Sequence, residues 1–112
     1  MSQMTLQERV VLMKTKAKVK AQAAGDCGAL EHIPNIGPAL ARDLRLIGVE
    51  HPAALKGQDA FQLYRKLCTA KGKRQDPCVL DTFIAAVDFM EGAAPAPWWK
   101  YTKARKATHG DV

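Results

Sequence analysis

The chain lacks most of the features that mark enzymes, membrane proteins or disulfide-rich proteins. No apolar run approaches the length of a membrane span, and Val10–Met13 is too short for the core of a secretory signal. The three cysteines, Cys27, Cys68 and Cys78, make no disulfide framework without an export signal, and their spacing fits no zinc pattern. We find no paired carboxylates, no nucleophile–base set and no glycine-rich phosphate loop with a catalytic lysine. We therefore expect a cytoplasmic protein that is not an enzyme and binds no metal through these side chains.

The surplus positive charge lies at the two ends of the chain. The formal net charge is +6, of which residues 1–25 carry +4, residues 26–92 carry −1 and residues 93–112 carry +3. A chain of 112 residues suits one small domain. We expect a basic N-terminal arm over 1–25, a central helical domain over 26–92 and an aromatic, then basic, tail over 93–112. A polyanionic partner would be attracted mainly by the ends.

The basic arm has the pattern of an amphipathic helix. Thr5 and Glu8 form a capping box, and the apolar residues that follow trace one face up to about Ala24, where Gly25 ends the helix. The lysines occupy the rest of the circumference; they are Lys14, Lys16, Lys18 and Lys20. Two interpretations stay open: a surface helix that rests on the domain, or an arm that lies against a phosphate backbone.

The central domain has five predicted helices and no strand signal. They cover about 28–33, 38–47, 52–56, 59–69 and 76–91. Asp59 and Asp76 are the expected N-caps of the last two, and Pro77 suits a first helical position. The last helix is the most apolar and should form the centre of the core, with Asp81 and Asp88 on its wet side. The prediction is an all-α domain.

The C-terminal region combines aromatic and basic residues. Ala93–Pro97 should be extended, because its prolines cannot continue a helix. We expect Trp98 and Trp99 to fold back over the core in preference to stacking on nucleobases. An aromatic ring beside Lys100 and Lys103 would also suit nucleic acid, and one ring could do each job. The last ten or so residues should be disordered. Cys78 lies in a predicted first helical turn, where a thiolate would be stabilised. We favour the other interpretation, a small buried thiol in the core.

The stretch from Ile33 to Leu44 carries the clearest functional signal. Pro34 and Gly37 mark a tight turn, and Pro38 begins a helix whose first N–H groups have no intrahelical acceptor. With the helix dipole behind them, these groups form an anion site, and a nucleic-acid phosphate is the natural anion for a basic protein. The sequence therefore predicts a phosphate contact at this turn.

Pro34–Pro38, with the apolar residues around it, resembles the helix-hairpin-helix motif. The resemblance implies binding to DNA phosphates without regard to sequence. Asn35 stands where the motif usually has its first glycine, and asparagine tolerates the left-handed backbone that this position needs. Ala39 stands where DNA-binding versions often carry lysine or arginine, which removes the nearest cation. No cofactor is expected, although the carbonyl groups of such a hairpin could hold a monovalent cation.

A wider resemblance, over about residues 30–101, is to a bacterial family of pathogenicity-locus or mitomycin-resistance proteins. It rests on segments 43–49, 63–68 and 76–80 and on Trp98-Trp99-Lys100. The family implies a compact five-helix helix-hairpin-helix domain, similar to sterile-alpha-motif folds, and a link to DNA-damage resistance.

The function predicted from these features is non-catalytic, sequence-independent binding to the DNA backbone. The alternative is a protein-interaction or adaptor module that does not touch DNA, which the near-neutral domain and Ala39 favour. Under the first hypothesis the binding residues are Asn35, Ile36, Gly37, Ala39, Arg42, Arg45, Lys14, Lys16, Lys18, Lys20, Lys100 and Lys103.

Overall fold

A computed structural model describes residues 20–110 and 112. Over these residues the chain forms helices and no strand, which confirms the all-α prediction for that range. The α-helices are α1 (Pro38–Leu46), α2 (Ala60–Lys71), α3 (Pro77–Met90) and α4 (Thr102–His109). Short 3-10 helices lie at Ala24–Asp26, Leu30–His32, Pro52–Leu55 and Trp98–Tyr101. Two of the five helices predicted for the central domain are therefore single 3-10 turns.

Local chemistry sets where the helices begin and end. The Asp59 carboxylate accepts hydrogen bonds from the Phe61 and Gln62 amides at the start of α2. The Asp76 carboxylate accepts from the Cys78 amide at 2.9 Å, and Pro77 occupies the first position of α3. These are the two caps that the sequence predicts, and both are confirmed.

Helix α3 lies at the centre of the core. Its Leu80 and Phe83 are fully buried, and Ala86, Phe89 and Met90 are at most 3% exposed. The helix packs against α2, the Pro52–Leu55 turn and the C-terminal segment. Since contacts surround it on several sides, α3 has a broad apolar face, as expected for a buried helix.

The prediction that the last ten or so residues are disordered is wrong. After the extended stretch that ends at Pro97, the chain forms a 3-10 turn and then α4, which packs on α3. Asp81 explains this, and its predicted exposure is also wrong. Its carboxylate is 0% exposed and accepts hydrogen bonds from Arg105 and Thr102, whereas Asp88 is exposed as predicted.

Most of the predicted N-terminal helix lies outside the described residues. Where the description begins, Lys20 and Ala21 are not helical, and Ala24–Asp26 is a 3-10 turn. The predicted end of the helix at about Ala24 is therefore wrong. In the described part of the chain, no helix has the length and apolar character needed to cross a membrane.

Candidate functional site

The turn that connects the Leu30–His32 3-10 helix to α1 is the structural element behind the predicted phosphate contact. Asn35 adopts a left-handed backbone with φ of 72°, which confirms the role predicted for asparagine here. Ile33 and Ile36 on either side are fully buried and anchor the turn in the core. The Ile36 amide donates to the Ile33 carbonyl at 3.1 Å. Ile36 therefore has no amide left for a ligand, contrary to its predicted role as a donor.

The first turn of α1 carries backbone amides that no other described residue uses. Gly37 immediately precedes α1, and its carbonyl accepts a hydrogen bond from the Ala41 amide at 2.9 Å. No side chain among the described residues caps this end of the helix. Pro38 has no amide hydrogen. Within residues 20–110 and 112, the amides of Gly37, Ala39 and Leu40 have no hydrogen-bond acceptor. Ala39 is exposed, and Gly37 and Leu40 are half-buried, so a ligand can approach this end of the helix.

Arg42 and Arg45 differ in what they can offer to a ligand. Arg42 is exposed and forms no ion pair with any residue that the structure describes. Arg45 forms a two-pronged ion pair with Glu31, with nitrogen–oxygen distances of 2.9 and 3.3 Å. This hydrogen bonding lowers the pKa of the Glu31 carboxyl and raises the pKa of Arg45. Arg45 thus ties the Leu30–His32 turn to α1.

Lys20 directs its charge into the same turn. Its ammonium group donates to the Glu31 carbonyl at 2.7 Å and to the Ile36 carbonyl. Burial lowers the pKa of Lys20, although the nearby Glu31 carboxylate partly opposes this shift. Carbonyl groups of this kind could coordinate a monovalent cation, and here both accept hydrogen bonds from the Lys20 ammonium group. Lys20 therefore stabilises the turn.

The structure brings the C-terminal segment to this turn. The Asn35 side-chain amide donates to the Ala96 carbonyl at 2.8 Å, so residues 95–97 lie beside residues 34 and 35. Lys100 and Lys103 follow on that segment, and both are exposed. Lys14, Lys16 and Lys18 lie outside the described residues.

Sequence reasoning missed Glu31 and Ala96, which shape this site. Glu31 lies 14 positions before Arg45, and Ala96 lies 61 positions after Asn35. Neither pair falls on one helix at the spacing of three or four that a sequence pattern can reveal.

A separate cavity of about 620 Å³ lies between α2 and the C-terminal end of the chain. Phe61 and His109 stack there with their ring centroids 4.2 Å apart, and the Arg65 guanidinium lies 5.9 Å from the Phe61 ring. None of the predicted binding residues lines this cavity. In the described part of the chain, no group of three or more histidine, cysteine or acidic side chains is placed to hold a metal ion.

Cys78 has the chemistry of an inert thiol. It is half-buried in the first turn of α3, and burial together with the Asp76 carboxylate raises its pKa to about 11. The raised pKa argues against the thiolate interpretation, since at neutral pH it keeps the half-buried Cys78 a protonated thiol.

We expect Cys78 to react slowly with iodoacetamide in a variant that also carries Cys27→Ser and Cys68→Ser. At pH 8 the raised pKa should reduce the thiolate fraction on the order of 100-fold relative to an ordinary cysteine. The initial rate should keep rising with pH toward about 11. The same variant unfolded in urea is the control, and a folded-state rate that levels off near the ordinary cysteine pKa would contradict the assignment.

Comparison with known proteins identifies relatives of this chain. The pathogenicity locus family (Cdd1) matches residues 23–107. A mitomycin resistance protein, McrB, from Streptomyces lavendulae is 41% identical over 83 residues, which span 74% of this chain and 79% of that protein. No solved structure shows a significant match to the chain. The matched residues include the Asn35 turn, all of α1 to α3 and the Trp98–Tyr101 turn, and the chain belongs to the pathogenicity locus family.

Proposed function

We propose that this protein binds the DNA backbone without reading sequence and without catalysing a reaction, and that it contributes to resistance against mitomycin damage. In this proposal the Leu30–His32 turn, the Asn35 turn and α1 act as a helix-hairpin-helix unit. The observation that carries it is the set of amides at Gly37, Ala39 and Leu40, which have no acceptor within the described residues. Backbone amides at a helix N-terminus suit a phosphate oxygen.

The proposed contact uses main-chain donors first and side-chain charge second. A phosphate would accept from the Gly37 and Ala39 amides, and the exposed Arg42 lies one turn along α1. Lys100 and Lys103 would add attraction from the C-terminal segment, and Lys14, Lys16 and Lys18 would add it from the arm. Such contacts fix the position of the backbone and carry no information on base identity.

The structure changes the roles that we propose for two cations. Lys20 and Arg45 already donate to groups of the turn itself, to carbonyls and to the Glu31 carboxylate respectively. We assign them to holding the turn in shape. Their contribution to DNA affinity is therefore indirect, through the geometry of the Gly37 and Ala39 amides.

The link to mitomycin rests on the relative from Streptomyces lavendulae, which is named for resistance to that drug. A protein bound to the DNA backbone is well placed to act where a drug has damaged DNA. This supports a role at the DNA, since the described residues include no group that we recognise as a catalytic site for modifying the drug.

Gly37→Ala should separate this function from stability. Gly37 has φ of −89°, and a Cβ added there would meet nothing within 4 Å among the described atoms, so alanine should fit without strain. The new methyl group would stand beside the free amides and keep a phosphate at a distance. We expect about a tenfold loss of affinity for duplex DNA, roughly the strength of one charged hydrogen bond, with the melting temperature unchanged or slightly higher.

Gly25→Ala is the matched control for this experiment. Gly25 also has open space around its Cβ position and no left-handed backbone, but it lies in the Ala24–Asp26 turn. Fluorescence anisotropy with a labelled duplex should show wild-type affinity for Gly25→Ala. Equal affinity for both variants would remove the Gly37 amides from the proposed site, and no binding of duplex by the unmodified protein would overturn the DNA function itself.

The second candidate function is a protein-interaction module. The observation that favours it is Leu46 at the end of α1, which is 57% exposed beside a cavity of about 550 Å³ lined mainly by apolar groups from α1 and α2. This candidate replaces the first under two conditions. The unmodified protein must bind no DNA, and a protein that it does bind must no longer be bound by the Leu46→Asp variant.

A further inference from the structure

Trp99 is a large apolar side chain that the fold leaves in solvent. It is 62% exposed in the Trp98–Tyr101 turn, whereas the neighbouring Trp98 is half-buried. The two indole rings meet edge to face, with centroids 5.8 Å apart and planes at 84°. Because the half-buried Trp98 contacts it, the Trp99 ring is exposed to solvent with one aromatic neighbour beside it.

The exposed ring belongs to the segment that meets the Asn35 turn. Ala96 accepts the hydrogen bond from Asn35 at 2.8 Å, and Trp99 follows three positions later. Three residues span at most about 11 Å, which bounds the separation of the Ala96 and Trp99 backbones. A short stretch of one DNA strand could therefore reach both the Asn35 turn and the ring.

The charge around Trp99 suits a nucleic acid. Lys100 and Lys103 are exposed on the same segment, and Lys20 lines the small cavity that the Asn35 turn forms with Pro95–Pro97. One negative charge is also present on this side: Asp88 lies beside Tyr101, which follows Trp99 by two positions. The cations outnumber this one carboxylate in the immediate sequence, and aromatic rings next to cations are typical of platforms for unpaired bases.

We propose that Trp99 is a stacking site for an unpaired nucleobase, so that the protein prefers DNA with unstacked bases to intact duplex. This inference rests on the proposed function. In a closed duplex both faces of every base are covered by neighbouring bases, and an indole can stack only where a base is free. Bulges, single strands and helices distorted by a bound drug offer such bases.

The experiment compares three labelled DNA molecules at one salt concentration: a short single strand, a duplex with a central bulge, and a duplex closed by hairpin loops of non-nucleotide linker. The closed duplex has no free ends on which the ring could stack. We expect the unmodified protein to bind the first two more tightly. Trp99→Ala should lower their affinity by about tenfold, within the usual range for loss of one stacked base, and should leave the closed duplex nearly unaffected.

Two further variants control for structure and for general apolar contact. Trp99→Phe keeps a ring and should retain most of the preference. Leu46→Ala removes a large apolar side chain that is 57% exposed on α1, and it should leave the affinities for all three DNA molecules unchanged. In a Trp98→Phe protein, Trp99 is the only tryptophan, and its emission should be quenched by the single strand.

Equal binding of all three DNA molecules, or an equal loss on all three with Trp99→Ala, would overturn the stacking site while leaving backbone binding in place. Failure of the unmodified protein to bind any of them would overturn the proposed function, and the stacking site with it.

Discussion

Arg105→Ala is expected to lower the free energy of unfolding by about 3–5 kcal/mol, because it leaves a carboxylate buried without its cation. Asp81 is 0% exposed and Arg105 is 5% exposed. The guanidinium Nε donates to Asp81 Oδ1 at 2.7 Å, and Nη2 donates to Oδ2 at 3.3 Å.

The same guanidinium links the residue that follows α4 to α3. Its Nη1 donates to the Gly110 carbonyl at 2.8 Å, and Thr102 donates to the second Asp81 oxygen at 2.8 Å. Helix α4 has eight residues and few apolar groups, so this network, more than hydrophobic burial, attaches it to α3. Arg105→Ala should therefore also detach α4 from the domain.

Chemical denaturation followed by circular dichroism measures the effect. Lys106→Ala, one position further on α4 and exposed, is the control and should change the stability by about 0.5 kcal/mol or less. The double variant Asp81→Leu with Arg105→Met should recover much of the loss, because an apolar pair leaves no buried charge. A loss for Arg105→Ala no larger than that of the control would contradict the structural role.

The second large effect is expected under the proposed DNA function: affinity for DNA should weaken on the order of 100-fold between roughly 50 and 200 mM salt if about four phosphates are neutralised. The physical cause is the release of counterions from the DNA when lysine and arginine side chains neutralise its phosphates. The affinity at several salt concentrations, plotted on logarithmic axes, gives a slope that counts these contacts.

Arg42→Ala should make that slope shallower by about 0.9, the amount for one phosphate contact. Arg65→Ala is the matched control, since Arg65 is also exposed but lies over Phe61 on α2. An unchanged slope for Arg42→Ala would place the contact elsewhere, and a flat dependence on salt would show that phosphates contribute little to binding.

Much of the helical fold is predictable from the sequence because its signals act over a few residues. Asp59 and Asp76 cap helices whose first amides are two or three positions away. Asn35 takes the left-handed conformation that its side chain tolerates well. Such preferences need no distant partner, so the local conformation that they predict is the one found in the folded chain. The two predicted helices that became 3-10 turns are short, and a stretch of that length closes too few hydrogen bonds to hold a full α-helix.

The predictions that failed concern residues whose environment comes from far along the chain. Asp81 falls on the polar side of α3 in the sequence pattern, but Arg105, 24 positions later, brings α4 over it. The C-terminal residues looked too polar to fold, because a hydrophobicity pattern does not reveal that one of their cations pairs with a buried carboxylate. Trp99 was expected to cover the core, yet it is 62% exposed, whereas Trp98 is half-buried.

The sequence by itself determined the helical class, the helix boundaries with strong caps, the left-handed turn at Asn35 and the start of α1 at Pro38, which no side chain among the described residues caps. Only the tertiary structure decided which cations remain available there, since Lys20 and Arg45 donate to groups of the turn and Arg42 does not. It also decided that Ala96 meets Asn35 and that Trp99 stays in solvent. The reason is physical: backbone preferences are written into neighbouring residues, whereas the partner of a charge or an aromatic ring depends on which distant segments pack together.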